Sequence, residues 1–493
     1  MPSPKTKVSS QQNYEQFVTE TLQVLDSVQK LPGNGSRIPD ESRRRLNELI
    51  ISLFDEYGVI HSSQLPLRYT LLSRLADCLA AVKEKSASGK LLDTTVQNVI
   101  EWATLQTIRT TRPDGTIYFT AQDQNASDSR TDGFNLIKRF LPYDTDEIDR
   151  NAAIAAFPQL FDSGTRKSVA PDETPDESFF SQWGACAVFR SGWKTDEPAV
   201  AIMYNNVSAN DNVKTKTKKS DVTTAGCLLE VSNRSQTVFA GTWETSISIN
   251  GKVLLPEEQH GWKLVCNQIE QTYDYLELEL VLNSDLCLQR HIFLAHDEEI
   301  MLLADAVLPN DLDDEKNATP RKKPLQIECV STFPIYNGVT FETTKDVTEL
   351  NVCSQKKKQI ARLFPIALPE WQSSCGDKNK IAVDGNKLTY RQTQRGQGIF
   401  APMVFDMSTS RMNKPYTWRQ LTVGANLQTV PNDQAAGFRL QLGNHQYLIY
   451  RSLTKTTNRS VLGHNLIGDF YVGIFSKSGM TEIVEIRPDD DEL

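Results

Sequence analysis

The chain has 493 residues, about two to four times the length of a typical domain, so we expect more than one hydrophobic core. Hydrophobic residues make up 39% and charged residues 23%, which is typical of a folded globular protein and excludes a disordered or fibrous one. The 53 basic and 62 acidic side chains give a net charge of −9. This charge excludes a general nucleic-acid-binding protein, which needs a net basic surface to neutralise phosphates.

The sequence has no run close to the roughly 18 consecutive apolar residues of a membrane span. Residues 1–10 are not followed by the apolar stretch of a secretory signal, so we expect a cytoplasmic protein. The eight cysteines include no C-x-x-C pair, and several lie in apolar, strand-like segments. We therefore expect reduced, buried thiols rather than disulfides. No phosphate-binding glycine motif occurs, and we expect no cofactor.

Residues 1–161 are predicted to be helical, because apolar residues recur every three to four positions. Helices are predicted near residues 17–28, 40–57, 66–82, 96–108 and 145–157. Pro39-Asp40 is typical of a helix start and Gly58 of a helix end, and Arg112-Pro113-Asp114-Gly115 predicts a turn. The connections between these helices are short, which favours antiparallel packing in a bundle or a partial α-toroid.

Residues 162–178 are polar, contain Pro171 and Pro175 and have no periodicity, so we predict a linker there. From residue 179 to 488 most segments alternate apolar and polar residues, as strands of antiparallel sheets do. Strands are predicted at 185–190, 199–204, 227–232, 236–240, 245–249, 274–282, 286–294, 299–307, 399–406, 437–442 and 446–453. The predicted fold is therefore multidomain α+β, with a large antiparallel β-sandwich or two stacked ones. Residues 489–493 form an acidic tail.

Two strand segments carry more specific predictions. Asn250-Gly251 is typical of a tight β-hairpin turn. In residues 274–282, four leucines alternate with Tyr275, Glu277 and Glu279. Because successive side chains of a strand point to opposite faces, we expect the second set to face solvent.

Several segments, in order, resemble the β-sandwich of the heparinase II/III family of polysaccharide lyases. They are Trp183 to Trp193, which contains Arg-x-Gly-Trp, then Ala199 to Tyr204, Leu228 to Trp243 and Leu288 to Val307. The resemblance covers residues 180–310, and the rest of the chain is similar, more weakly, to such proteins of planctomycete-type bacteria. It implies an α-toroid joined to antiparallel sheets, and cleavage of a uronate polysaccharide by β-elimination.

The chain departs from the family pattern at the active site. The family's His-rich loop is replaced by Tyr204-Asn205-Asn206 and a following stretch without histidine. Phe239 stands where the family has a metal-binding Asp, and Gly241-Thr242-Trp243 continues directly into the next strand. A zinc site needs about three N, O or S ligands, and phenylalanine offers none. We therefore expect no metal site and no histidine-dependent part of the family's chemistry.

Uronate β-elimination needs a group that neutralises the carboxylate, a base and an acid. The candidate catalytic residues are Tyr204, Asn205, Asn206 and His260. The alternative is that they form only a strand end, turns and a loop. His291 and His296 are five positions apart, so on one strand they would point to opposite faces and could not form a simple metal-ligand pair.

Two groups of residues are candidates for binding an anionic polysaccharide. The first is a basic loop that contains Lys214, Lys216, Lys218 and Lys219, at the position of the family's catalytic loop. The second contains Trp418, Arg419 and Arg439, because aromatic faces stack on sugar rings and arginine binds carboxylates or sulfates. The alternatives are a solvated loop for the first group and core packing for the second.

Three functions remain open from the sequence. The first is a non-catalytic heparinase II/III-like protein that binds an acidic polysaccharide or a protein partner. The second is an active polysaccharide lyase with a rearranged site, and the third is a structural or assembly protein. Because a fold does not determine a function, the missing site residues weigh more than the resemblance, and the first function is preferred.

Overall fold

The structure is a computed structural model, and it describes most of the chain. The described residues are 19, 22, 23, 25, 26, 40–62, 68–85, 93–119, 132–143, 146–162, 169–204, 225–255, 261–310, 324–376, 378–455, 457–476 and 479–487. Helices occupy the N-terminal part and antiparallel strands the remainder, which confirms the α+β fold class. None of the described helices is long and apolar enough to cross a membrane.

The described residues divide into two compact units. The first contains those up to Val188 together with 192–197 and 201–204, and the second contains 189–191, 198–200 and those from 225 onward. The division therefore falls after the predicted linker at 162–178. Within the first unit, the Trp193 indole N–H donates to the Pro175 carbonyl at 2.8 Å, and the Arg109 guanidinium donates to the Asp176 carbonyl. These bonds attach the end of the predicted linker to the first unit.

Five described helices form most of the first unit. They are α1 (Asp40–Leu53), α2 (Arg68–Lys85), α3 (Thr94–Arg109), α4 (Gly133–Phe140) and α5 (Glu147–Ala156). The predicted apolar stripes are buried: Leu46, Leu49, Ile50 and Leu53 on α1, Leu71, Leu72, Leu75, Cys78 and Leu79 on α2, and Val96, Ile100, Ala103 and Ile108 on α3. Four of the predicted helices are thus confirmed, with shifted ends. The first predicted helix, at 17–28, lies largely outside the described residues, and those described there are helical.

The end of α1 differs from the prediction, which included Tyr57 in the apolar stripe. The Asp55 carboxylate accepts the backbone N–H groups of Tyr57 at 3.0 Å and Val59 at 2.8 Å. This local turn competes with the helix, as Asp side chains often do. The helix therefore ends at Leu53, and Tyr57 is 46% exposed.

Helix α4, which has eight residues, is not predicted by the sequence pattern. The Asp132 carboxylate accepts the Asn135 N–H at 3.0 Å and caps its start. Only Leu136, Ile137 and Phe140 form its buried apolar stripe, apart from Gly133 at its first position. Two turns are too short for a periodicity to stand out, and the N-cap aspartate was the available signal.

The second unit contains four described sheets, preceded by three strands near the division. These three are β1 (Phe179–Ser181), β2 (Cys186–Arg190) and β3 (Ala199–Met203), and β1 pairs with β2. The first sheet has the order β4-β5-β11-β16-β15, with β6 beside β5. Its strands are β4 (Ala225–Asn233), β5 (Gln236–Ile249), β6 (Lys252–Leu254), β11 (Leu325–Pro334), β15 (Lys380–Asp384) and β16 (Lys387–Gly396).

The second sheet has eight strands in the order β12-β13-β14-β17-β10-β9-β8-β7. They are β7 (Lys263–Ile269), β8 (Tyr273–Asn283), β9 (Leu286–Ala295), β10 (Ile300–Pro309), β12 (Thr340–Thr343), β13 (Leu350–Cys353), β14 (Gln359–Phe364) and β17 (Ile399–Asp406). Its central strands β9 and β10 are buried along almost their whole length. Two-sided burial explains why their sequences are nearly continuous apolar runs.

Two smaller sheets follow. The third has the order β18-β21-β22-β25-β26, and the fourth has the order β20-β19-β23-β24. Their strands are β18 (Tyr416–Leu421), β19 (Val423–Ala425), β20 (Gln428–Val430), β21 (Ala435–Leu442), β22 (His445–Ser452), β23 (Arg459–Val461), β24 (His464–Leu466), β25 (Phe470–Ser476) and β26 (Gly479–Ile486). The described pairings within these two sheets are antiparallel.

The sheets of the second unit stack in layers with separate cores between them. Phe239 of the first sheet contacts Phe405 of the second, with ring centroids 5.9 Å apart. The second and third sheets share a core that includes Phe293, Phe400 and Phe438. The other face of the third sheet packs on the fourth through a cluster whose members are Leu421, Val423, Val430, Ala435, Leu448, Tyr450, Val461, Leu466 and Tyr471. The stacked arrangement is therefore the one of the two predicted alternatives that this unit adopts.

The stacking of the sheets shows that one prediction, on the exposed face of β8, is wrong. Tyr275 and Glu277 were expected to face solvent, but their side of β8 lies under the third sheet, and they are 0% and 2% exposed. Glu279, on the same face, is partly buried. A sequence pattern of alternating polar residues cannot reveal a second layer that covers the polar face.

The predicted Asn-Gly hairpin and the predicted burial of cysteines are confirmed, whereas two predicted strands are in fact one. Asn250 and Gly251 have φ of 52° and 80° and connect β5 to β6 in a tight hairpin. Residues 236–240 and 245–249, predicted as two strands, are one continuous strand, β5, because Gly241-Thr242-Trp243 runs straight on. Six cysteines are buried as predicted, namely Cys78, Cys186, Cys227, Cys287, Cys329 and Cys353.

Gly58 occupies a position that only glycine tolerates. Its φ is +70°, and a Cβ there would lie under 3.0 Å from atoms of Trp102 and Ala103 on α3. We expect Gly58→Ala to reduce the free energy of unfolding by on the order of 3 kcal/mol, since a left-handed backbone and a steric clash both oppose the methyl group. Denaturant unfolding of the full chain measures this loss.

Gly251→Ala is the matched control. Gly251 also has positive φ, but a Cβ at this position would meet no other atom within 4 Å. Its substitution should therefore show the backbone effect alone, about 1–2 kcal/mol. Equal losses for the two variants would contradict the close approach at Gly58.

Candidate functional site

The structure describes only one of the four candidate catalytic residues. Tyr204 follows β3, its residue is 2% exposed, and its N–H donates to the Ala185 carbonyl at 2.9 Å. Asn205, Asn206 and His260 lie outside the described residues, and so do the four lysines of the basic loop, Lys214, Lys216, Lys218 and Lys219. A catalytic role for the first set and a binding role for the second remain predictions.

Phe239, predicted from the resemblance to stand in place of a metal-binding Asp, is part of an aromatic core. Phe239 is fully buried, stacks on Phe341 at 5.4 Å between ring centroids, and contacts Phe333 at 5.5 Å. Among the described residues, no group of three His, Cys, Asp or Glu side chains is arranged to hold a metal ion.

A buried ion pair lies between the first and second sheets. The Arg290 Nε of β9 donates to Asp305 Oδ1 of β10 at 3.0 Å, and both side chains are 0% exposed. The guanidinium lies between the rings of Trp243 and Trp262, at 3.9 and 4.7 Å from their centroids. Burial alone would lower the pKa of Arg290, but the Asp305 carboxylate raises it, so the guanidinium keeps its positive charge. Full enclosure assigns this pair to the architecture rather than to ligand binding.

Hydroxyl groups from the first sheet form hydrogen bonds with the remaining polar atoms of this ion pair. The Asp305 Oδ2 atom accepts from the hydroxyls of Thr245 on β5 and Ser331 on β11, each at 2.6 Å. The Arg290 guanidinium also donates to the Thr245 hydroxyl oxygen at 2.6 Å. A buried charge pair is favourable only when such additional hydrogen bonds satisfy its remaining polar atoms.

A second buried network lies between the second and third sheets. Arg451 of β22 donates to Glu277 Oε1 at 3.0 Å, and the Tyr275 hydroxyl donates to Glu277 Oε2 at 2.6 Å. The His291 Nδ1 atom lies 2.9 Å from the Tyr275 hydroxyl oxygen. Because that hydroxyl proton goes to the carboxylate, His291 donates through Nδ1–H. Burial lowers the pKa of His291 well below its ordinary value, which keeps the ring neutral. Its Nε2 atom is buried and has no partner in the described part of the chain.

The other described histidines are dispersed. His296 lies in the turn after β9, where its Nε2 is 2.8 Å from Asp274 Oδ2. His445 begins β22 and is 3.5 Å from Glu298, while His464 begins β24 and packs on Tyr471. His61 in the first unit packs on Trp183 at 4.7 Å. No two of the four described histidines of the second unit, His291, His296, His445 and His464, contact one another, so they do not form a catalytic histidine cluster.

The late aromatic and arginine residues separate onto two faces of the third sheet. Trp418 is 2% exposed, and its indole N–H donates to the Leu368 carbonyl at 2.9 Å, so its ring packs in the core. Arg419 is the next residue of β18, is exposed, and points to the other face. It pairs in register with Arg439 of β21, which is partly buried. The burial of Trp418 leaves it no open face for a sugar, whereas both arginines remain candidates.

The sequence pattern does not indicate Trp371, a further aromatic residue that lines the same depression as Arg419. Residues 366–371 and 417–420 line a surface depression, and Trp371 within it is 54% exposed. The Glu370 carboxylate accepts the Thr417 hydroxyl at 2.6 Å and so fixes this loop to β18. Trp371 lies about 48 residues from Arg419 in the sequence, and no local pattern connects them. Only the folded chain brings this ring and Arg419 into the same depression.

Solved structures share this architecture. A structure of heparinase III superposes over 88% of this chain and 67% of its own, with a TM-score of 0.55 and 11% identity. The chain has a heparinase III-like fold. A second heparinase III structure gives 88% and 65% coverage, a TM-score of 0.56 and 10% identity. Heparan sulfate lyase HepC from Pedobacter heparinus gives 90% and 69%, a TM-score of 0.52 and 10% identity.

These likenesses confirm the resemblance noted in the sequence at the level of the polysaccharide-lyase fold. The chain covers about two thirds of the length of the heparinase III-like structures, 65–69% for these three. No protein-family model matches the sequence, and no curated protein matches it either. Identity of 10–11% is too low to transfer individual site residues, so the heparinase III-like fold is what the comparison establishes.

The buried His291 predicts a measurable pH dependence of stability. Burial, and then the positive charge of Arg451, lower the pKa of His291 well below its ordinary value near 6.5. An unfolded chain takes up a proton at this histidine near pH 6.5, but the folded chain does not. Stability is therefore fully present above about pH 6.5 and falls as pH decreases, by at most about 1.4 kcal/mol per pH unit from this group.

We expect His291→Gln to remove this contribution. The variant should be less stable at pH 7 but should lose less stability than the parent between pH 7 and pH 5 in urea unfolding. His445→Gln is the control, because His445 is 46% exposed at its side chain. Parallel pH profiles for the parent and His291→Gln would show that His291 is not the responsible group.

Proposed function

We propose that this protein binds an acidic polysaccharide through its heparinase III-like fold and does not cleave it. The observation that carries the binding half is the fold itself, shared with heparinase III and with a heparan sulfate lyase. Two adjacent arginines on the third sheet support it as well, because arginine binds carboxylates and sulfates through paired N–H donors. A net charge of −9 makes such local positive sites necessary for a polyanion.

The non-catalytic half rests on Phe239 and on the sequence after β3. Phe239 replaces the family's metal-binding Asp in the resemblance, and its ring is packed among other phenylalanines. The stretch 205–224 contains no histidine. The five described histidines are dispersed, and His291 is enclosed between two sheets. A β-elimination site needs accessible groups for neutralisation, deprotonation and protonation, and these observations disfavour one.

Two assays on the same purified protein test both halves. Heparan sulfate, chondroitin sulfate and hyaluronate are each measured for binding by calorimetry and for cleavage by the ultraviolet absorbance of the unsaturated product. We expect binding of at least one polysaccharide and no increase in absorbance. Product formation would overturn the non-catalytic half in favour of an active lyase. Failure to bind any of them would overturn the binding half and favour a structural role.

The basic loop is a second proposed contact. We expect replacement of Lys214, Lys216, Lys218 and Lys219 by Gln to weaken binding, with an unchanged melting temperature. Exposed charges are screened within about 8 Å at physiological salt, so the affinity of the parent should also fall steeply as salt is added. Calorimetry over a series of salt concentrations measures both effects.

The exposed hairpin loop with Lys356, Lys357 and Lys358 supplies a control. Replacing these three lysines by Gln removes a similar charge from another loop and should change affinity much less. Equal weakening in the two variants would indicate a general charge effect, and unchanged affinity in the first variant would exclude the 214–219 loop.

A further inference from the structure

Two arginines face each other on the exposed part of the third sheet. Arg419 of β18 and Arg439 of β21 are direct cross-strand partners. Side chains in such a pair lie on the same face, with Cβ atoms about 4.5–5.5 Å apart. Like charges at this spacing repel each other and destabilise the sheet unless a counter-charge lies between them.

The described part of the chain provides no such counter-charge. No carboxylate lies within 4.0 Å of either guanidinium, and the Arg439 Nε atom is buried without a hydrogen-bond partner among those residues. The neighbours on the same face of these strands are uncharged, namely Thr417, Leu421, Gly437, Gln441 and Leu448. By contrast, Arg290, Arg411 and Arg451 each contact a buried carboxylate. The pair is therefore unlike these three arginines, and it also differs from buried Arg459, whose guanidinium donates to carbonyl and hydroxyl oxygens.

Glu370, the acidic residue that lines the depression, already accepts hydrogen bonds from β18. Glu370 Oε2 accepts the Thr417 hydroxyl at 2.6 Å and the Trp418 N–H at 3.4 Å. These bonds hold the 366–371 loop against β18. They also position Trp371, whose ring is 54% exposed, in the depression that Arg419 lines. Trp371 and Arg419 thus line the same depression, and Arg439 is the cross-strand partner of Arg419.

We propose that Arg419, Arg439 and Trp371 form a subsite for one acidic sugar residue. The two guanidinium groups bind its carboxylate or sulfate, and Trp371 stacks on its ring. Bidentate N–H donors match the planar or tetrahedral oxygens of both anions, which lysine would bind only as a point charge. The subsite deepens the proposed polysaccharide binding and rests on it for its sugar ligand. The anion-binding step itself depends only on the arginine pair.

The structure also predicts a stability effect that ordinary surface arginines would not show. Because the paired charges repel each other in the absence of ligand, Arg419→Gln/Arg439→Gln should raise the melting temperature in low-salt buffer. The same variant should bind an acidic polysaccharide at least about tenfold more weakly, since two charge-assisted contacts are lost. A rise in stability together with a loss of affinity is typical of a binding site rather than of a structural element.

Arg150→Gln/Arg395→Gln is the matched control. Both residues are exposed and the net charge changes by the same amount. Calorimetry with heparan sulfate oligosaccharides compares the parent, the paired variant, the control and Trp371→Ala. We expect loss of affinity in the paired variant and in Trp371→Ala, and less than about a twofold change in the control. Parental affinity in the paired variant would overturn the subsite and leave the proposed function intact.

A second readout uses inorganic sulfate alone. We expect sulfate to raise the melting temperature of the parent more than that of the paired variant, beyond the effect of the same ionic strength of chloride. If the parent binds no polysaccharide but shows this difference, the proposed function and the sugar ligand fail while the anion site stands. If parent and variant respond equally to sulfate, the arginine pair is not an anion site, whatever the polysaccharide result.

Discussion

The contact between Arg290 and Asp305 determines how the second unit is assembled. These residues come from adjacent strands of the second sheet, and their remaining polar atoms are satisfied by Thr245 and Ser331 of the first sheet. Removing one partner would leave an unpaired buried charge, which typically reduces stability by about 3–5 kcal/mol. Trp243 and Trp262 enclose the guanidinium and exclude water. The register between the two sheets is therefore restricted to the one that brings these four polar side chains together.

A similar buried polar network lies between the second and third sheets. Arg451 reaches from the third sheet to Glu277 of the second, and Tyr275 and His291 extend that network. Apolar faces alone would allow two sheets to slide, because the hydrophobic effect is not directional. A buried network of directional hydrogen bonds permits few alternative positions of the two sheets. The arginines of β18 and β21 differ from Arg290 and Arg451, each of which contacts a buried carboxylate.

The heparinase III-like fold contains an aromatic core around Phe239, the residue that the sequence resemblance aligns with a metal-binding Asp. The ring of Phe239 adds to the core, where a carboxylate would require a metal ion or other partners to be tolerated. Packing in this region is thus maintained by aromatic contacts that need no ligand. Selection for a stable stack of sheets and selection for catalysis are separable, and the described residues of this chain satisfy the first.

Local patterns in the sequence determined the class of the fold and many of its elements. The stripes of α1 to α3, the Asn250-Gly251 hairpin and the runs of β9 and β10 follow from periodicity and turn preferences that act over a few residues. Only the tertiary structure decided that Glu277 is buried and that Trp418 is enclosed in the core while Arg419 is exposed. It also placed Trp371 beside Arg419, although they are far apart along the chain. Burial and such proximity depend on which layers cover which face, and that is set by long-range contacts that no local pattern encodes.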